Sequence, residues 1–279
     1  MANYKIEGDT IIFNEGVETI ERTDLQHVVE YESGWVSCEP LESVKDVKKI
    51  VLPDGLKKIC KGAFSRLVFL ESINIPDSVT EIEEVVFSGC NRLKNINIPS
   101  SLSKLPTGTF STCECLTELF IPDNITEIQH SAISRCTALK KVRLSRNISK
   151  ICSSMFEGCI SLKSIDIPES VTEIKCEAFN RCVSLEDVTI PSNVKLIDRH
   201  AFEDCVYLKN VTISEGVEAI KKEAFAGCTS LKTVTIPNSV SKMGNDVFER
   251  CHDLTIRCHK DSYAERFAKY YNINIEYIE

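Results

Sequence analysis

The chain has 279 residues, 43% of them hydrophobic, enough for a sizeable core in one or two domains. Thirty-three Lys and Arg against 41 Asp and Glu leave a formal charge of −8, the wrong sign for a protein that must neutralise phosphates. No run approaches the ~18 uninterrupted apolar residues of a membrane span, and the opening MANYKIEGDTIIF lacks the basic stretch and long apolar run of a secretory signal.

At the amino end, residues 4–6 and 10–13 flank Glu7-Gly8-Asp9 and predict a β-hairpin. Residues 14–20 then imitate the opening of a repeat. The following ~25 residues, which hold the single Trp, Trp35, are long for a connection and are read as part of a cap. From Pro53 onward the chain repeats every 23 residues, starting at Pro53, Pro76, Pro99, Pro122, Ser145, Pro168, Pro191, Ser214 and Pro237. The shared pattern is P-x-x-V-x-x-I-x-x-x-A-F-x-x-C-x-x-L-x-x-I-x-I, nearly complete in residues 75–97. A period of this length signals a solenoid, in which a single unit cannot bury its own apolar faces.

Within each unit the I-x-I segment predicts a strand, with Ile96 and Ile98 inward and Asn95 and Asn97 outward. The following Pro has no N–H to donate and ends it. Val79 and Ile82 mark a second short extended edge, and the Phe column breaks only at Ile133. Eight Cys, from Cys90 to Cys251, share one column and are read as a ladder of reduced, buried thiols, because parallel Cβ vectors do not suit a disulfide. Cys152 and Cys176, in adjacent units, are the one pair that could meet. Downstream, Asp261 or Ser262 caps a helix carrying Tyr263, Ala264, Phe267, Ala268 and Tyr271, and residues 273–278 supply a final strand.

These columns resemble the BspA-like, Treponema-type leucine-rich repeat over roughly residues 10 to 258, with Leu67 in place of the first Cys and a shortened ninth unit. The resemblance implies an α/β solenoid, a leucine-rich-repeat horseshoe. A parallel sheet lies on its concave side and short strands or 3₁₀ turns on its convex side, between a hairpin cap and a helix-strand cap. The whole chain, 1–279, is then expected to be one domain: cap and degenerate repeat over 1–52, nine repeats over 53–259, terminal cap over 260–279.

Chemistry is sparse in this pattern. Cys251-His252 with Cys258-His259, and Cys113-x-Cys115, match no standard zinc spacing, so no metal is expected. The five His are scattered, and no phosphate-binding loop or nucleophile elbow occurs, so neither enzymatic activity nor a cofactor is expected. The informative row is the outward side of the concave strands. There Glu118, Phe120, Lys141, Arg143, Asp166 and Asp187 put a ring, two cations and carboxylates on adjacent strands. The plain alternative to a docking role is a solvated sheet face on which Arg143 pairs with Asp166. The expected function is a non-enzymatic, monomeric scaffold binding a protein there, with no nucleic-acid or membrane partner. The thiols favour a reducing compartment, and so a cytoplasmic location, or else an anaerobic setting. The resemblance implies the alternative of a cell-surface adhesin of a host-associated microbe, binding host matrix proteins.

Overall fold

In the computed structural model, which describes residues 3–30 and 36–279, each unit makes one turn of a solenoid with three sides. Trp35 lies outside the described residues. The first side is the expected sheet. Thr10–Phe13, Lys49–Val51, Ser72–Ile73 and Asn95–Ile96 pair in parallel, with Tyr4–Glu7 added antiparallel as the hairpin cap. Glu118–Phe120 pairs with Lys141–Arg143. Asp187–Ile190, Asn210–Ile213, Thr233–Thr235, Thr255–Cys258 and Asn274–Tyr277 form the last block. Along it the alternation is as the sequence requires: Val188 and Ile190 are buried, Asp187 and Thr189 exposed.

The second side is a row of two-residue strands at the V-x-x-I positions, such as Glu81–Ile82 and Ile-ending partners Lys150–Ile151 and Glu173–Ile174. Between the two sides the Pro carbonyl accepts the N–H of the Val three residues on, as Pro76 does from Val79 (3.0 Å). The missing Pro N–H costs nothing at such a strand end. Where Ser replaces Pro, its groups find partners: Ser214 N–H donates to the Ile190 carbonyl (3.1 Å), and the buried Ser145 Oγ to that of Ile125.

The third side carries the A-F-x-x-C turns. Two residues per turn there adopt positive φ, in columns 23 apart: Gly62, Val85, Gly108, Ser131, Ser154, Glu177, His200, Glu223 and Asp246, then Arg66, Gly89, Thr112, Arg135 and on to Arg250. Their left-handed backbone faces alternate N–H groups toward the following turn. Phe64 N–H bonds the Val86 carbonyl (3.1 Å), and Phe202 that of Ala224 (2.8 Å). On the other sides bonds run in both directions, backward from Thr80 N–H to the Lys57 carbonyl (2.9 Å) and forward from Ile121 N–H to the Arg143 carbonyl (2.9 Å). The third side stays continuous where both sheets are interrupted, between the Pro76 and Pro99 units and again between the Pro122 and Ser145 units.

One core runs through the stack from Ile11 to Ala268. The Phe column stacks ring on ring from Phe64 to Phe110 and from Phe156 to Phe248, with centroids 4.9–5.7 Å apart, and buried Ile133 separates the two runs. Phe13 and Phe267 meet the two ends edge-on (6.4 and 6.3 Å), so each cap contributes a ring that closes the stack. Each of the eight column Cys donates its thiol to the main-chain carbonyl at the Phe position of the preceding unit, at 3.1–3.3 Å. Cys152 and Cys176 are free thiols, so the pairing weighed for them is not made. They are 24 residues apart, one off the repeat, and so do not stack in register.

Gln26–Glu30 pairs antiparallel with Val36–Pro40. Buried Gln26 ties this pair to the first full repeat, donating to the carbonyls of Gly62 (2.9 Å) and Ser65 (2.6 Å). At the other end Tyr263–Tyr270 is the expected helix, and Ser262 rather than Asp261 is its cap, accepting the Glu265 N–H (3.1 Å). No helix among the described residues is long and apolar enough to cross a membrane.

Candidate functional site

The six residues singled out on the first sheet fall into three groups. Glu118 and Lys141 are direct strand partners, and so are Phe120 and Arg143. The Lys141 ammonium lies 3.4 Å from the Glu118 carboxylate, with both side chains well exposed, so the pair contributes at most a few tenths of a kcal/mol, about the value of an ordinary surface pair. The Arg143 guanidinium stands 4.5 Å from the centre of the Phe120 ring, which is 57% exposed. A large ring held in solvent under a cation is a preformed feature rather than a stray apolar side chain.

Arg143 does not pair with Asp166. Its partner is Asp123 (3.0 Å), which also accepts the Arg146 backbone N–H (2.9 Å). These bonds, that from Arg146 first and then the one from Arg143, hold the Asp123 carboxyl below its ordinary range. The reason lies in the sheet. The segment 164–167, expected to be the next strand, makes no ladder with Lys141–Arg143, so nothing lifts Asp166 opposite Arg143. Asp166 is exposed instead on the wall of a cleft of about 490 Å³ at this seam, with Val142, Leu144, Ile167, Arg143 and Arg146. Val142 and Ile165, inward-facing by pattern, are only partly buried there.

Asp187 is on the far side of the seam and belongs to a different arrangement. Thr233 Oγ1 donates to Asn210 Oδ1 and Asn210 Nδ2 to Asp187 Oδ1, both at 2.7 Å, a hydrogen-bonded row across three strands. At the first seam Asn97 plays a comparable part, its side chain bonding both the N–H (2.9 Å) and carbonyl (2.7 Å) of Ile75. A second shallow cleft of about 600 Å³ lies on the paired strands before that seam, over Ile50, Ser72, Asn95 and Ile96. Four of the six residues, Glu118, Phe120, Lys141 and Arg143, are therefore one patch; Asp166 faces the cleft beside it, and Asp187 does not join it.

The thiols of the two Cys-His pairs are taken up by the fold. Cys251 spends its thiol on the Phe225 carbonyl, and Cys258 is fully buried in the strand Thr255–Cys258. Among the described residues one group of three donors could share an ion: His200, Glu203 and Glu223. Spacing searches built on Cys and His pass over it. The signal in the sequence is periodic: His200 and Glu223 occupy the same repeat position one turn apart, and Glu203 follows His200 by three.

The model of the BspA-type leucine-rich repeat region matches residues 41–159 and 135–255. Among solved structures, a leucine-rich repeat protein from Bacteroides ovatus is 22% identical, with 99% of this chain and 98% of that one covered and a TM-score of 0.54. A leucine-rich cell surface protein from Faecalibacterium prausnitzii is also 22% identical, covering 99% of this chain and 93% of that one at 0.55. A leucine-rich repeat protein from Eubacterium ventriosum, 15% identical, covers 90% and 80% at 0.51. No curated protein matches the chain. The repeat columns, the parallel-strand solenoid and the family match over most of the length agree: the chain belongs to the BspA-type leucine-rich repeat family.

Proposed function

We propose that this protein is a non-catalytic scaffold that docks a protein partner on the first sheet, centred on Phe120 and Arg143. The observation that carries the reading is the exposed Phe120 ring beneath the Arg143 guanidinium, beside the seam cleft. Aromatic rings and Arg supply most binding energy where interfaces concentrate it, and an apolar-floored cleft gives a partner side chain somewhere to go. The buried, hydrogen-bonded thiols support work in a reducing compartment, hence the cytoplasm. The second reading is a surface adhesin. What favours it is that the F. prausnitzii protein of the same fold is described as a cell surface protein.

The test is affinity capture from the source cells followed by direct titration of the purified partner. Phe120→Ala with Arg143→Glu should weaken that binding about thirtyfold or more, the mark of an interface hot spot of ~2 kcal/mol. Lys104→Glu, on the second side, should leave it unchanged. Equal affinity of wild type and the double variant would move the docking surface elsewhere. Surface labelling of intact cells separates the two settings.

A further inference from the structure

We infer that His200, Glu203 and Glu223 form a binding site for one divalent first-row transition-metal ion, of which Zn²⁺ is the best match, on the third side of the solenoid. His200 Nδ1 lies 3.1 Å from Glu203 Oε2 and 3.1 Å from Glu223 Oε2. All three donor atoms fall within 4.8 Å of one another. Nδ1 itself is shut off from solvent, yet its geometry satisfies a hydrogen bond to neither carboxylate. A buried ring nitrogen facing two anionic oxygens without a bond to either is an arrangement that a cation between them completes. For metal–ligand bonds of ~2.0–2.2 Å, adjacent donors around an octahedral or tetrahedral ion sit about 3.0–3.5 Å apart. The two 3.1 Å separations from Nδ1 fall in that window, and the two carboxylate oxygens, within 4.8 Å of each other, would complete the set.

The backbone supplies the preorganisation. His200 and Glu223 sit in the same left-handed column, with φ of 56° and 58°, and the His200 N–H bonds the Lys222 carbonyl (3.3 Å). This stacks the two side chains one turn apart. Glu203 is aimed by Asn180, whose Nδ2 donates to Oε2 (2.9 Å), leaving that oxygen a lone pair for a metal. Lys222 engages only the other oxygen of Glu223, at 2.7 Å from Oε1. The side chains are 19–27% exposed, enough to admit water to the remaining coordination positions. One imidazole with two carboxylates suits Zn²⁺ by donor type.

The test is Zn²⁺ titration of reduced protein by calorimetry, in a Cys115→Ser background that removes the one exposed thiol among the described residues. One equivalent should bind, and His200→Asn and Glu223→Gln should each weaken it at least tenfold; Asn is chosen because it tolerates the left-handed backbone. Co²⁺ in place of Zn²⁺ should give a visible spectrum without a thiolate charge-transfer band. Unchanged affinity in both variants, or a thiolate band that survives His200→Asn, would overturn the assignment. Should a variant fail to fold, the wild type still decides: the imidazole ¹⁵N signals must shift on adding Zn²⁺, and unmoved signals would refute the site.

Discussion

At the scale of single residues, the third side is where the repeat consensus and the backbone disagree. Positive φ suits Gly and is tolerated by Asn, yet the first left-handed column carries Ser, Glu, His and, at Val85, a β-branched residue with φ of 53°. A left-handed non-Gly residue costs about 1–2 kcal/mol, and branching at Cβ places Val85 at the upper end. Val85 persists because its N–H bonds the Thr107 carbonyl (2.9 Å) and because Gly108 below leaves room; a Cβ there would come within 2.9 Å of Val85 Cγ1. Val85→Asn should therefore stabilise the protein by roughly 1 kcal/mol, read as a rise in melting temperature of a few degrees. A lower melting temperature would mean that the Val85 side chain gives more in packing than its backbone loses. The same column explains why the His200 cluster was hard to see in the sequence. Two of its members, His200 and Glu223, are set by a backbone conformation that no apolar pattern encodes, whereas the strands and turns of the other two sides announce themselves through Ile, Val and Pro.

At the scale of elements, the carboxyl-terminal cap is held by one acid. Glu265, buried in the terminal helix, accepts from the Lys269 ammonium (2.6 Å), the Tyr277 hydroxyl (2.7 Å) and the Asp261 N–H (2.5 Å), and so joins the helix to the last strand. Those bonds, led by Lys269 and then Tyr277, bring its carboxyl down to about 2 from an ordinary 4.5. A depressed acid stabilises the fold fully above its unfolded value and loses that contribution as pH falls through the folded one. The cap should thus hold from neutrality to about pH 5 and loosen progressively toward pH 2. Glu265→Gln turns one of the two accepting oxygens into an N–H donor, so either Asp261 or the Lys269 and Tyr277 pair loses its acceptor. Hydrogen exchange in Asn274–Tyr277 should quicken in this variant while Asp187–Ile190 keeps wild-type protection; equal exchange in both segments would show that Glu265 does not hold the cap. The helix and the last strand are legible from spacing and the cap is narrowed to Asp261 or Ser262, but the tie between helix and strand is not legible, because residues 265 and 277 carry no periodic signal. The proposed docking patch divides in the same way. Glu118, Phe120, Lys141 and Arg143 follow from register, whereas the seam that leaves Asp166 unpaired with Arg143 is a loss of ladder bonds within an unbroken repeat.

Across the whole molecule the same contact is repeated once per turn, so a small effect at one column position is multiplied along the stack. The column thiols make this measurable. Burial pushes Cys90, Cys136 and Cys251 up to about 12 and holds Cys113, Cys159, Cys182 and Cys228 well above the ordinary thiol value, while Cys205 is also raised. In the unfolded chain the same groups titrate near 8.5. Between those values the folded protein retains protons that the unfolded chain has released, so stability is complete below about pH 8.5 and falls as pH rises. Each thiol contributes a slope of up to about 1.4 kcal/mol per pH unit, and even half the column acting together would remove ~5 kcal/mol per unit, comparable with the 5–15 kcal/mol of an ordinary domain. The melting temperature, followed under reductant, should stay level from pH 7 to 8.5 and collapse over the next one to two units. Cys136→Ala with Cys182→Ala takes two thiols out of this linkage and should make the alkaline fall shallower, even though the cavities lower stability at neutral pH. An equally steep fall in the double variant would trace the alkaline loss to Tyr and Lys titration and not to the Cys column.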